Sequence, residues 1–484
     1  MNKDNKAKIN RTGLSRRKFL GLAAAGSALS MANPSALLAR SAPAPINPVL
    51  TDYVGRLCYN ENPLGPSPMA IQAMSDDLDM SHRYPDWFAE SLKGDLADIH
   101  DVSDNNVIAG CGATEILRLC AFAFAESNGN VVAPNPSYSQ FPADAGFLGS
   151  DVYYSSLNDD HRIDLNDMAD RVDNDTTAVC ITNPNNPTAT VLAADDIEAF
   201  VDDLPQGVVT IIDEAYHDFV DDPNYESAID LVRRGKNVVV IRTFSKAYGL
   251  AGARIGYGIG RQSRINDMRA WQIFSTVSRP SLNASRAALD DIDHINDTVT
   301  LNNQAKQYCF GYFDLWGLSY IPSQTNFFMV ATEMDNSDLA AALSSRDFYV
   351  RYGWGMDHHI RVSTGTMEEM EGFIDAMYDI LNQVHAGGYT IPLVTALDGN
   401  YPNPFNSTTR ISYSIAKSGQ VKIQIFNIRG QLVKTVVDSY LLAGKHAFEW
   451  SGINQQGAPV ASGSYFYRMT AGDFAQTRRM ILVK

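Results

Sequence analysis

Three short apolar runs, Ala178–Ile181, Val208–Ile212 and Val238–Ile241, constrain this 484-residue chain more than any other feature. Each is rich in β-branched residues and none alternates strictly with polar ones. A strand with one wet face alternates, whereas a strand covered on both faces has no need to. Amphipathic stretches such as Ala194–Leu204 and Tyr225–Arg234 separate the runs. They predict helices on both sides of a doubly wound, mostly parallel sheet, an α/β fold. Ligands of such sheets bind beyond the carboxyl ends of the strands. Those ends are where chemistry is expected.

The residues that follow the runs are of a particular kind. Val208–Ile212 leads into Asp213, Glu214, Ala215 and Tyr216, and Val238–Ile241 into Thr243, Ser245 and Lys246. Ala178–Ile181 leads into TNPNNPT, where Asn186 precedes Pro187. Singly, each is an ordinary turn residue. Together they are the set that pyridoxal-phosphate chemistry requires. Lys246 offers the amine that holds an aldehyde as a Schiff base. A buried carboxylate, Asp213, keeps a pyridine nitrogen protonated by favouring its charged form. Asn186 and Tyr216 offer hydrogen bonds to a ring oxygen. The segment GCGATEILRL, Gly110 to Leu119, sets small residues ahead of a helical pattern. Free amides at a helix N-terminus bind anions, and Ser245 and Arg254 add a hydroxyl and a guanidinium for phosphate.

Composition removes other classes. Lys and Arg number 39 against 55 Asp and Glu, a net charge of -16 with no basic stripe, so a nucleic-acid partner is not expected. Five cysteines without CxxC spacing, and histidines without HExxH, predict neither a disulfide framework nor a metal site.

The two ends differ from the middle. Residues 1–45 read as a leader and linker: SRRKFLG precedes a small apolar run from Leu22 to Met31, and SAPAPINP follows. Arg16 and Arg17 before Phe19 and Leu20 resemble a twin-arginine signal. Residues 46–388 form the α/β domain. Residues 389–484, after HAGGYTIP, alternate apolar and polar residues in TRISYSIA and VKIQIFNIRGQLVKTV, punctuated by Gly430, Gly444, Gly452, Gly457 and Gly463. They predict an antiparallel β-sandwich with turns at the glycines.

From about Leu57 to Met377 the motifs NENPLGPSP, RYPD, GCGATE, PNPSYSQF, NPNNPT, DEAYHDF, TFSKAYGLAGARIGY and IRVSTGT occur in one order. In that order they resemble the fold-type I aminotransferases, nearest to histidinol-phosphate aminotransferase. The resemblance implies that Lys246 is both the Schiff-base lysine and the proton shuttle. It implies that Asp213 pairs with the pyridine nitrogen, that Tyr138 stacks on the ring, and that Asn186 and Tyr216 bond its oxygen. The amides of Ala113 and Thr114, with Ser245 and Arg254, are implied to bind the phosphate. Tyr84 is implied to reach the phosphate of a neighbouring subunit, which makes the expected form a homodimer with shared sites. Arg361, with Arg351 as a second candidate, is implied to recognise the anionic end of a small-molecule amino donor or 2-oxo acid. Two departures stand out: the family usually has Gly where Ala189 follows Thr188, and an aromatic residue where Leu64 stands.

The tail motifs YPNPFNSTTRISYSI, IFNIRGQLVKTV and the terminal RRMILVK resemble the C-terminal sorting domain of type IX secretion. With the leader, this implies an exported enzyme that crosses both membranes folded and ends at the cell surface or outside. A carbohydrate-binding or adhesive sandwich is the alternative for the tail. For the core, decarboxylation or β-elimination would use the same imine and electron sink. A non-catalytic surface protein is the alternative of another class, and the joint presence of Lys246, Asp213, Asn186, Tyr216 and Arg254 speaks against it.

Overall fold

The computed structural model describes residues 55–384, 395–416, 419–441 and 444–483. The twin-arginine segment and HAGGYTIP lie outside the described residues. The chain divides into two compact units, one ending at Phe373 and the other beginning at Ile374.

A seven-stranded sheet organises the first unit. Its strands in chain order are β1 (Val107–Gly110), β2 (Asn130–Pro134), β3 (Asp151–Ser155), β4 (Thr176–Thr182), β5 (Val209–Asp213), β6 (Val238–Thr243) and β7 (Gly256–Gly260). In space they run β1-β7-β6-β5-β4-β2-β3, and β7 alone is antiparallel to its neighbours. The three apolar runs thus became β4, β5 and β6, side by side at the centre. Their residues divide between two cores, as lack of alternation predicts. Val179, Ile181, Ile212, Val238 and Val240 pack on one face. Ala178, Cys180, Val209, Ile211, Val239 and Ile241 pack on the other. Each fully buried Val or Ile among them stabilises the sheet by about 1.5–3 kcal/mol.

Two expectations need correction. Tyr225–Arg234 is helical only over Ile229–Arg233, because the Glu214 carboxylate accepts the Ser227 hydroxyl at 2.8 Å and the Ala228 amide at 2.7 Å. Those bonds hold the segment extended until Ser227 accepts the Ile229 amide. In the tail, Gly430, Gly452 and Gly457 adopt positive φ as turn residues, but Gly444 and Gly463 open strands instead.

A smaller sheet in the first unit orders Arg351–Tyr352, His359–Ser363, Phe327–Ala331 and Tyr320–Ile321, all antiparallel. The second unit carries antiparallel sheets of three and four strands. Leu397, Ile411 and Trp450 from one and Val421, Ile423, Tyr467 and Met480 from the other share a core, the plan of a β-sandwich. The cysteines among the described residues are free, and all but Cys111 are buried.

Candidate active site

Strand direction explains why residues from distant parts of the chain meet. β1, β2, β4, β5 and β6 all end at one edge of the sheet, and the reversed β7 begins there. The register places Gly110 beside Gly256 and Gly256 beside Thr243, with Asp213 between Ile241 and Thr182. Arg254 therefore reaches this edge from before its strand, while Ser245 and Lys246 reach it from beyond theirs.

One end of the cleft is built for an anion. The helix Gly112–Phe124 (α1) starts there, and its N-cap residue Cys111 makes no side-chain cap. The first-turn amides, Ala113 and Thr114 among them, have no intrahelical acceptor. A Cβ on Gly112 would strike the Arg254 guanidinium, and one on Gly256 would strike the Ala113 amide. Absence of side chains at these two positions lets the cation and the helix terminus close on one small space. Arg254 holds a left-handed backbone (φ 58°) and donates to Ala251 O at 3.0 Å, with the Ser245 hydroxyl 3.5 Å away. Thr243 Oγ1 fixes Ser245, accepting its amide at 3.1 Å and donating to its Oγ at 2.9 Å. The Tyr138 phenol bonds Thr114 and lies within the fields of Asp213 and Arg254.

At the centre, Asp213 is 3% exposed and accepts the Ala215 amide at 3.1 Å. Burial pushes its carboxyl up to about 7, against the Ala215 bond and the charge of Lys246, which lower it. Lys246 sits on the opposite side of that balance. Its amine donates to Tyr59 O at 3.1 Å and lies 5.7 Å from the Tyr216 ring centroid. The protein around it lowers its pKa to about 8, with Arg361 and Arg254 assisting and Glu61 and Asp213 opposing. An amine whose pKa is lowered toward 8 is far more often neutral near that pH than an ordinary lysine, and the neutral form is the nucleophile and base. The Tyr216 hydroxyl accepts from Asn186 Nδ2 at 3.4 Å and from Asn60 Nδ2 at 2.9 Å.

The other end is also cationic. Arg361 is 5% exposed and donates to Asn186 Oδ1 at 2.6 Å and Cys58 O at 2.9 Å. Its Nε is buried with no partner among the described residues. Burial lowers its pKa to about 10, and among the described residues no carboxylate stands with the charged groups acting on it. Arg351 is paired directly across from Arg361, and like charges placed directly opposite one another cost stability. Trp354 and Phe327 flank the Arg361 guanidinium at 5.2 and 5.1 Å.

The structure thus brings Ala113, Thr114, Tyr138, Asn186, Asp213, Tyr216, Ser245, Lys246, Arg254, Arg361 and Arg351 to one cleft. Tyr84 is not brought there within one chain: it is 80% exposed, with its ring 6.2 Å from Phe274. Sequence reasoning assigned no role to Asn60 or to the Tyr59 carbonyl. Asn60 stood inside a quoted motif, NENPLGPSP, which was the available signal. A backbone carbonyl leaves none.

These residues fit pyridoxal phosphate: a side-chain-free anion cradle, an amine of lowered pKa, and a buried carboxyl that a cationic ring nitrogen would ionise. Comparison with known proteins agrees. Residues 54–377 match the model of aminotransferase class I and II, and residues 403–473 that of the FlgD Ig-like domain. The chain therefore belongs to the class I and II aminotransferases, and it is a pyridoxal-phosphate enzyme of fold type I acting on an amino donor and a 2-oxo acid. Within that class it is similar to histidinol-phosphate aminotransferases. It is 35% identical over 337 residues to that of Bacillus pumilus, covering 69% of this chain and 92% of the relative. The enzyme of Bacillus subtilis is 34% identical over 343 residues, covering 70% and 95%. The solved structure from Sinorhizobium meliloti, in complex with pyridoxal 5'-phosphate, superposes with a TM-score of 0.64 at 27% identity, covering 69% of this chain and 92% of that one.

Proposed function

We propose that this aminotransferase takes an amino donor with an anionic group, histidinol phosphate or an aromatic amino-acid-like compound, and passes the amino group to a 2-oxo acid such as 2-oxoglutarate. The observation that carries this reading is the Arg351–Arg361 pair, with Arg361 buried and lacking a carboxylate partner among the described residues. A planar guanidinium suits the forked oxygens of carboxylate or phosphate, and two together suit a dianion. When bound, the cofactor supplies the electron sink for the carbanion formed at the substrate α-carbon. The chain supplies the rest. Lys246 anchors the aldehyde and then carries the proton between α-carbon and cofactor. Asp213 holds the ring nitrogen protonated, Tyr138 covers a ring face, and Asn186 and Tyr216 hold the ring oxygen. Ala113, Thr114, Ser245 and Arg254 hold the phosphate. The test is an absorbance spectrum of the cofactor-loaded protein with a donor panel including glutamate and histidinol phosphate. A yellow band that bleaches with a donor and returns with a keto acid supports the reading; a band that never cycles overturns it in favour of another pyridoxal-phosphate reaction.

Tyr84, Phe274, Ile273 and Trp271 are all more than half exposed on a single chain. Their burial between two subunits, with Tyr84 reaching the partner's phosphate, is the expected dimeric form; a monomer at micromolar concentration by light scattering would refute it. The twin-arginine leader and the Ig-like tail, read as a type IX sorting domain, support export of the folded, cofactor-loaded enzyme. Intact leader on protein confined to the cytoplasm would defeat that route.

A further inference from the structure

Asn60 is 2% exposed and has a left-handed backbone (φ 56°), an arrangement that costs a non-glycine residue energy unless its surroundings fix it. Every polar group it owns is engaged. Its amide donates to Ser363 Oγ at 2.8 Å, and its carbonyl accepts Asn326 Nδ2 at 3.0 Å. Its side-chain oxygen accepts the Ser363 hydroxyl at 2.9 Å, and its side-chain nitrogen donates to Tyr216 Oη at 2.9 Å. The direction of that last bond follows from Ser363. The Ser363 oxygen already accepts the Asn60 amide, and its proton has no other acceptor among the hydrogen bonds described. Asn60 must therefore turn its oxygen to Ser363 and its NH2 to Tyr216.

Asn186 is oriented in the same way by a different neighbour. Arg361 can only donate, so Asn186 Oδ1 faces it and Asn186 Nδ2 faces Tyr216 at 3.4 Å. The phenol oxygen receives two N–H donors, which fills its acceptor capacity. Neither neighbour can take its proton. The phenol proton has no acceptor among the hydrogen bonds described, and the Lys246 amine lies over the face of the same ring, 5.7 Å from its centroid.

We propose that Asn60 is a positioning residue which, with Asn186, makes Tyr216 an obligate hydrogen-bond donor into the cleft, aimed at the ring oxygen of the cofactor. This rests on the reading of Lys246 and Tyr216 as cofactor contacts. A donor fixed on the ring oxygen draws negative charge from it, so the Lys246–cofactor linkage would lose its proton at lower pH. Ser363 acts one step further out, through Asn60.

The test is a pH titration of the absorbance of the cofactor-loaded full chain, read together with circular dichroism and cofactor content. Tyr216→Phe removes the donor and raises the linkage pKa most. Asn60→Asp tolerates the left-handed backbone but puts a carboxylate where the amide was, so Tyr216 turns its proton away from the cleft; a rise close to that of Tyr216→Phe is expected. Asn60→Gly removes one fixed donor without backbone strain and raises the pKa by about 0.5–1 unit, the worth of one neutral hydrogen bond. Ser363→Ala frees the Asn60 amide to rotate and produces a smaller rise, and it decides the matter should the Asn60 variants fail to fold. Asn60 and Ser363 variants that titrate like the parent, while Tyr216→Phe shifts, overturn the proposal. A parent protein with no bound-cofactor band overturns the functional reading beneath it.

Discussion

The two units place their buried polar groups differently. In the second unit the buried polar side chains are short and bonded, as in Thr409 to Pro402 O at 2.8 Å and Ser414 to Asp398 at 2.8 Å. The buried groups with displaced pKa values there are tyrosines such as Tyr413 and Tyr467, both raised to about 12 by burial. In the first unit an acid, an amine and a guanidinium crowd one sheet edge, with Asp213 at about 7, Lys246 at about 8 and Arg361 at about 10. Backbone strain is also heavier around the site. Left-handed non-glycine residues there include Asn60, Ala189 and Arg254, whereas in the sandwich Ser407 stands beside left-handed glycines such as Gly430, Gly452 and Gly457. Burying ionisable groups without full pairing destabilises a fold, so their concentration marks where chemistry is done.

The sharpest way to break this contrast is Lys246→Ala. Turnover should fall by about 10⁴-fold or more, since the covalent anchor and the proton carrier go together. Thermal stability of the cofactor-free protein should hold or rise, because a desolvated amine is removed. A variant that still transaminates would dissolve the assignment. Arg361→Gln comes next: loss of one charge-assisted contact should lower kcat/KM by about 10–100-fold, with linkage formation at Lys246 preserved, as single-turnover absorbance would record.

Asp213 separates the units by pH. Its carboxyl, ordinarily at 3.8, stands at about 7 in the folded cofactor-free protein. Between those values the folded state binds a proton that the unfolded chain has released. The associated stability is fully present below about pH 4 and is lost as pH rises through 7. Asp213→Asn, which mimics the protonated acid and does not titrate, should therefore match the cofactor-free parent near pH 4 and exceed it in Tm by a growing margin as pH rises through 7. A flat difference would place the proton elsewhere.

Much of this site was legible before any coordinates. Central strands buried on both faces leave a strong pattern, and the polar residues closing β4, β5 and β6 were read in the right places. What escaped was set by tertiary contact. The delayed helix start at Ile229 depends on Glu214, fifteen residues away in sequence, and the hydrogen-bond direction at Tyr216 depends on Ser363. Neither leaves a periodic trace. Arg254 was legible as a residue type, but its approach along a reversed β7 was not.

Ala189, where the family usually has glycine, tests the strain side of the contrast. It is fully buried at φ 63°, packed with Tyr216, Phe219, Ala247 and Phe327, and its carbonyl accepts Gln324 N at 2.9 Å. Alanine in this region costs about 1–2 kcal/mol relative to glycine, and the buried methyl returns part of that. Ala189→Gly should therefore stabilise the cofactor-free protein by no more than about 1 kcal/mol in denaturant titration. Destabilisation would mean that the methyl's packing against Tyr216 outweighs the strain.

The smallest effect is expected from removing residues 389–484. Every group proposed to touch cofactor or substrate lies at or before Arg361, and the helix Met367–Val384 is left whole by that cut. If the chemistry belongs to the first unit alone, kcat and KM of the shortened, cofactor-loaded enzyme should agree with the parent within about twofold, a difference of ~0.4 kcal/mol. On the export route proposed above, its fate in cells should change instead, with loss of any surface or extracellular fraction. A large fall in kcat with cofactor content unchanged would show that the sandwich shapes the site, and the division of labour drawn from the buried charges would fail.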